Sequence, residues 1–182
     1  MKKSAKSPVS GQPLTHKMTV TAMLSAVSAV LMFIEISIPI MPSFIKLDIS
    51  ELPALLASFS LGPVYGVIVC LVKNLVSLTH TTSSGVGELC NLLLGAVFVF
   101  TTGMVYSKMK NRKGALIGSL IGAFVMAAMS LPINYFVTYP FYLKLYYMTA
   151  EQMVGLYQVI LPSVKSLLDC LLIFNTPFTF VK

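Results

Sequence analysis

The stretch Val86–Tyr106, VGELCNLLLGAVFVFTTGMVY, decides how the whole chain is read, and Glu88 is its only charged residue. An apolar run of about 20 residues crosses the hydrocarbon core of a bilayer as a single helix. A strand of a membrane barrel would instead alternate polar and apolar positions over about 10 residues. Nothing in this stretch alternates, so the helix is the reading. The chain around it has the same character: of 182 residues, 56% are hydrophobic and 10% charged. A soluble domain needs about a quarter of its residues charged to cover its surface. The fold class that follows is an all-α membrane protein.

Working outward, the apolar runs predict six transmembrane helices. Their bounds are about Met18 to Ile40, Glu51 to Leu61, Val64 to Leu78, Val86 to Tyr106, Gly114 to Val137 and Val154 to Val181. Pro39 and Pro42 close the first, and Gly62-Pro63 separates the short second from the third. Ser50 ahead of Glu51-Leu52-Pro53 reads as a helix cap with proline in the first turn. An aromatic connection, Thr138 to Met153, precedes the last run. Residues 1–17 form a basic tail, and residues 18–182 a single six-helix domain. The first run, about 23 residues, is too long for a signal-peptide core and is read as retained.

The net charge of +7 is not spread as nucleic-acid binding would need. Lys2, Lys3, Lys6 and Lys17 precede the first run, and Lys108, Lys110, Arg112 and Lys113 share one short loop. Positive residues stay on the cytoplasmic side. Six crossings with both N- and C-termini cytoplasmic place every such cluster inside, and leave Lys46 and Lys144 outside with Asp48, Glu51 and Glu151. Cys70, Cys90 and Cys170 match no metal spacing and read as small packing residues.

Polar side chains within apolar runs carry the functional signal. They are Glu35, Lys73, Asn74, Glu88, Asn91, Asn134, Lys165 and Asp169. A charge at the bilayer centre costs about 2.5–3.5 kcal/mol on insertion scales, so it needs a partner, water or a ligand. Glu88 and Asn91 are three residues apart, and Lys165 and Asp169 four apart, so each pair would share a helix face. Lys165 would lie about 16 Å into its helix. In the predicted topology these groups converge on one outward-facing level. Two lysines against three carboxylates leave the set close to neutral, with both donors and acceptors. That suits a neutral solute rich in hydroxyl, amide and carbonyl groups, held between apolar walls. The competing reading is a set of purely structural ion pairs fixing helix register. For Lys46, Asp48 and Glu51 the competing reading is a solvated loop that starts a helix. Small residues Ala22 and Ala26 form a flat stripe on the first helix, where another helix can approach, either within the bundle or from a partner.

The blocks IKLDISELPALL at Ile45–Leu56, LGPVYG at Leu61–Gly66 and VKNL at Val72–Leu75 resemble the riboflavin-specific S components of energy-coupling factor (ECF) transporters, the RibU type. GELCNLLLG at Gly87–Gly95 and PINYF at Pro132–Phe136 resemble later blocks of the same family. The resemblance implies the S-component fold and a multi-pass subunit of the cell membrane that captures its vitamin from outside. It implies docking, through an Ala-x-x-x-Ala stripe matched by Ala22 and Ala26, on a coupling transmembrane subunit carrying two cytoplasmic ATPases. It implies no intrinsic cofactor, with riboflavin as the transported ligand, and no enzyme activity. The chain's lack of a phosphate-binding Gly-x-x-x-x-Gly-Lys-Ser/Thr loop agrees. Riboflavin has a flat apolar ring, an edge of alternating acceptors and donor, and a hydroxylated tail. Asn134 and Lys165 are expected to read the edge, with Asp169 orienting Lys165. Glu88, Asn91, Lys73 and Asn74 are expected at the tail, and Lys46 and Asp48 on a lid.

Three alternatives remain at this point. An S component for another vitamin is one, with thiamine harder to exclude than the anionic pantothenate or folates. An intramembrane enzyme is another, although the chain has no Gly-x-Ser-x-Gly, His-Glu-x-x-His or paired Asp motif. The third is a structural membrane protein without a ligand.

Overall fold

The computed structural model describes residues 13–34, 36–37, 46–81, 84–145, 149–164 and 166–181. Glu35, Lys165 and the tail lysines Lys2, Lys3 and Lys6 lie outside the described residues. The described chain is helical apart from one short ladder, in which β1 (Ile36–Ser37) pairs antiparallel with β2 (Lys46–Leu47).

The first helix, α1, covers Leu14–Met32 and ends with the backbone N–H of Phe33 bonding to the Val30 carbonyl and that of Ile34 to the Leu31 carbonyl. It stops short of the Ile40 expected from composition. The apolar residues beyond it feed β1, because an apolar run does not by itself distinguish helix from strand. The second helix, α2 (Glu51–Leu61), and the third, α3 (Pro63–Ser77), meet at Gly62, whose φ of 116° only glycine adopts without strain. Pro63 then sits at the first helical position, where a missing N–H costs nothing. The fourth helix, α4 (Val86–Lys108), confirms the run that opened the sequence reading.

Next, α5 (Arg112–Ile133) starts from Asn111, whose side chain accepts from the Gly114 N–H at 2.6 Å. It does not end near Val137 as expected. It continues through a π-helical turn, Asn134–Thr138, into α6 (Tyr139–Leu145). Pro132 and Pro140 flank that turn, each removing a backbone donor, and the Tyr139 N–H bonds to the Asn134 carbonyl in the wider ring. Much of the expected aromatic connection is therefore helix.

The last apolar run is divided. It contributes α7 (Ala150–Gln158), then a break, then α8 (Leu167–Cys170), a second π-helical turn (Leu171–Asn175) and α9 (Thr176–Val181). Pro162 lies in the break, and Ser166 is extended at φ −133°, ψ 160°. Capping boxes at Thr149/Gln152 and Ser166/Asp169 start α7 and α8. Asp169 lies in the first turn of α8, which begins after Ser166, and the expected Lys165–Asp169 face involves a residue outside the described ones.

Among the described residues, four helical stretches are long and apolar enough to cross a membrane: Leu14–Met32, Pro63–His80, Val86–Lys108 and Arg112–Leu145. Glu51–Leu61 and Leu167–Phe180 are shorter apolar helices. Small residues bring the helices together. A Cβ on Gly66 would fall 2.3 Å from Val99, one on Gly103 2.0 Å from Ser58 Oγ, and one on Gly122 2.1 Å from Thr102 Oγ1. Such close approach supplies dispersion contacts where lipid removes the hydrophobic drive between helices. Ala54, Ala57, Val69, Cys70 and Val99 form one buried cluster, and Tyr139, Tyr157, Val164, Leu171 and Phe174 belong to another. Leu116, Leu120, Phe124 and Met23 remain exposed, as an outer face meeting lipid would be.

Candidate functional site

Three elements meet around Lys73. Its side chain is fully buried, at 0% exposure, and the ammonium donates to Glu51 Oε1 at 2.7 Å and to Ser50 Oγ at 2.7 Å. The other carboxylate oxygen of Glu51 accepts from Cys70 Sγ at 3.4 Å. The Ser50 hydroxyl donates to Asp48 Oδ1, and the Ser50 N–H reaches the same oxygen at 2.9 Å. Ser28 Oγ on α1 donates to the Ser50 carbonyl at 2.5 Å. The sequence reading took Ser50 as a helix cap, but its side chain makes no cap bond and is recruited by Lys73 and Asp48 instead. Glu51, expected in an outer loop, is buried. The signal for it was present: a lone carboxylate opening a short apolar helix, with one buried lysine to match.

Gly95 on α4 faces the Glu51 carboxylate, where a Cβ would lie 2.5 Å from Oε1. Asn91 is one turn before Gly95, about 6 Å along the axis. At that level Cys90 Sγ donates to Asn134 Oδ1 at 3.5 Å, so Asn134 stands beside the turn of α4 that holds Glu88 and Asn91. The structure thus sets Asn134 against Cys90, while Glu88 and Asn91 lie at other positions around the same turns of α4. Glu88 is buried in the first turn of α4, where a helix N-terminus favours a carboxylate. Asn134 is buried, and its amide donates to the Ser130 carbonyl at 2.8 Å.

Asn74 is buried beside Lys73. Its amide nitrogen donates to the Cys70 carbonyl at 2.8 Å, while its Oδ1 is buried without a hydrogen-bond partner. The Thr138 hydroxyl, on the π turn after Asn134, is likewise buried and without a partner. A buried polar atom left unbonded costs about 1–3 kcal/mol, so each is a ready point of attachment. Thr138 was not singled out from sequence, since a threonine in an apolar run usually bonds its own helix.

Asp169 closes the α8 capping box, its Oδ2 accepting from the Ser166 N–H at 3.0 Å. It therefore braces the turn directly after Lys165. Asp48 is half-buried, while for Lys46 the structure gives the backbone position in β2. Tyr139 and Tyr157 share a hydrogen bond at 2.8 Å, and Tyr157 reaches Asn175 Oδ1 at 3.3 Å, tying three helical segments that no local pattern connects. Ala22 and Ala26 are exposed on α1, so the described helices leave their stripe open. Among the described residues no group of His, Cys, Asp and Glu is placed to hold a metal ion.

The family model for the substrate-specific component of ECF transporters matches residues 16–182. The riboflavin transporter RibU of Staphylococcus aureus (strain TCH60) is 40% identical over 121 residues, 66% of this chain and 64% of that protein, so the match spans just under two thirds of that relative's length. RibU of Streptococcus thermophilus is 31% identical over 175 residues, covering 92% of this chain and 81% of the relative. The riboflavin transporter FmnP of Bacillus subtilis (strain 168) is 30% identical over 129 residues, 69% and 68% of the two chains. A solved S component of a bacterial ECF transporter superposes with a TM-score of 0.72 at 32% identity, covering 93% of this chain and 88% of that one. A family match over nearly the whole chain, and a helical fold shared with a solved member, lead to one conclusion: this chain belongs to the substrate-specific components of ECF transporters.

Proposed function

We propose that this chain is the riboflavin-binding subunit of an ECF-type importer. The observation that carries the reading is its similarity to relatives named as riboflavin transporters, the Streptococcus thermophilus protein aligning over 92% of this chain. The chemistry around α4 supports it. Asn134, Asn91 and Asn74 give a neutral solute both donors and acceptors, and the partnerless Asn74 Oδ1 suits a hydroxyl of the ribityl tail. Asn134 and Lys165 read the edge of the ring, and Asp169 acts on Lys165 by holding the turn that follows it. Glu88 and Asn91 join Asn74 at the tail. Lys46 and Asp48 belong to the first loop, which covers the bound vitamin.

The subunit crosses the cell membrane six times, with both termini cytoplasmic and the vitamin site facing outward. It holds no intrinsic cofactor. It docks through Ala22 and Ala26 on a coupling transmembrane subunit, and two cytoplasmic ATPases supply the energy for reorientation. Mass spectrometry of small molecules released from the detergent-purified protein tests the ligand: riboflavin is expected. Thiamine in its place, or failure to bind added riboflavin, overturns the reading. Asn134→Ala should weaken riboflavin binding about tenfold, the loss of one bond worth about 1.4 kcal/mol. Ala22→Leu should abolish uptake in cells while leaving binding by the purified subunit intact, and normal uptake would remove the stripe from the interface.

A further inference from the structure

We propose that Lys73 and Glu51 are positioning residues that fix residues 46–50, and that Lys73 does not touch the vitamin. The inference rests on the reading of Lys46 and Asp48 as part of the riboflavin site. The sequence suggested Lys73 as a contact for the ribityl tail, but its side chain is wholly enclosed and two of its three donors are engaged at 2.7 Å.

The engaged groups form a continuous line. Gly95 on α4 backs the Glu51 carboxylate, Glu51 holds the Lys73 ammonium, and Lys73 holds Ser50 Oγ. The Ser50 hydroxyl and N–H both hold Asp48, the residue directly after β2. In turn β2 pairs with β1 through Ile36↔Leu47 and Ser37↔Lys46. Ser28 ties the Ser50 carbonyl to α1. Each link is a hydrogen bond or a steric stop, so the position of the carboxylate is passed to the foot of the first loop. A buried ion pair is a poor source of net stability compared with apolar packing, and fixing one geometry is its better-attested use. A lysine bridging a carboxylate to a serine–aspartate turn does this where groups from α1, α2, α3 and α4 converge.

The test measures riboflavin binding by purified wild-type protein and by Glu51→Gln, Gly95→Ala and the doubly neutral Lys73→Met/Glu51→Gln. Gly95→Ala displaces the carboxylate from the α4 side without altering any hydrogen-bonding side chain. The double variant removes both charges together and so keeps a foldable protein in the series. Stopped-flow quenching of riboflavin fluorescence separates the two rates, and amide hydrogen exchange reports residues 46–50 against α5. Dissociation is expected to rise about tenfold in Glu51→Gln and in the double variant and about threefold in Gly95→Ala, with association within about twofold of wild type. Faster exchange is expected in residues 46–50 and not in α5. Dissociation rates within about twofold of wild type in all variants overturn the proposal. So does exchange that rises equally in α5, which marks the pair as general structural support. Wild-type protein that does not bind riboflavin sinks the functional reading and this proposal with it, whereas unchanged variants of a binding wild type sink this proposal alone.

Discussion

The first half of the chain holds its interior polar groups by charge, and the second half by neutral hydrogen bonds. Around α2 and α3 an ammonium and a carboxylate are buried together and share Ser50 and Cys70 as neighbours. From Ser130 onward the buried groups described are amides and hydroxyls: Asn134 on Ser130, Thr179 on Ser130 and the Asn175 carbonyl, and Tyr139 on Tyr157. The backbone differs in parallel. The first half uses regular helices, whereas the second has two π-helical turns and a break at Pro162. A polar residue in an apolar run thus has two meanings. Lys73 in regular helix is enclosed by protein partners, whereas the Thr138 hydroxyl on a π-helical turn is buried without one.

Lys73→Met should break this comparison most sharply. It leaves Glu51 buried without its cation and should cost about 3–5 kcal/mol of stability, seen as a large drop in thermal unfolding temperature in detergent. Lys73→Met/Glu51→Gln should recover most of that loss. If the double variant is as unstable as the single one, charge is not what holds the first half. Gly122→Val acts at the seam between α4 and α5, where even a Cβ would collide with Thr102 Oγ1. A loss of about 1–3 kcal/mol is expected there, again by thermal unfolding. Tyr157→Phe probes the second half and should cost about 1 kcal/mol, the net worth of neutral hydrogen bonding. A loss as large as that of Lys73→Met would erase the distinction between the halves.

Much of the fold was legible because lipid imposes one requirement on every crossing. Val86–Lys108 is one helix because a long apolar run without alternation has no other way to satisfy its backbone. The same reasoning failed at Val154–Val181, where hydropathy stays high through Pro162 and carries no sign that α7 and α8 are separate. The aromatic connection after Thr138 also misled, since tyrosines and phenylalanines at a membrane boundary fit helix and loop equally. At the site, Glu88, Asn91 and Asn134 were legible as polar groups in apolar surroundings, and the Cys90 contact sets Asn134 against α4. The partner of Lys73 was not, because Glu51 is separated from it by a turn and a change of direction at Gly62. The Tyr139–Tyr157–Asn175 links depend on the break in the last run and were out of reach for the same reason.

The short second helix has a consequence for how its ends are satisfied. With 11 residues, α2 is about 16 Å long, roughly half the thickness of a bilayer's oily layer. Its far end turns straight into α3 at Gly62, so Glu51 at one end and Gly62 at the other cannot stand at opposite faces of a bilayer. A helix that falls short of one face leaves a polar end to be satisfied by protein, and at the Glu51 end the partner is the buried Lys73 ammonium.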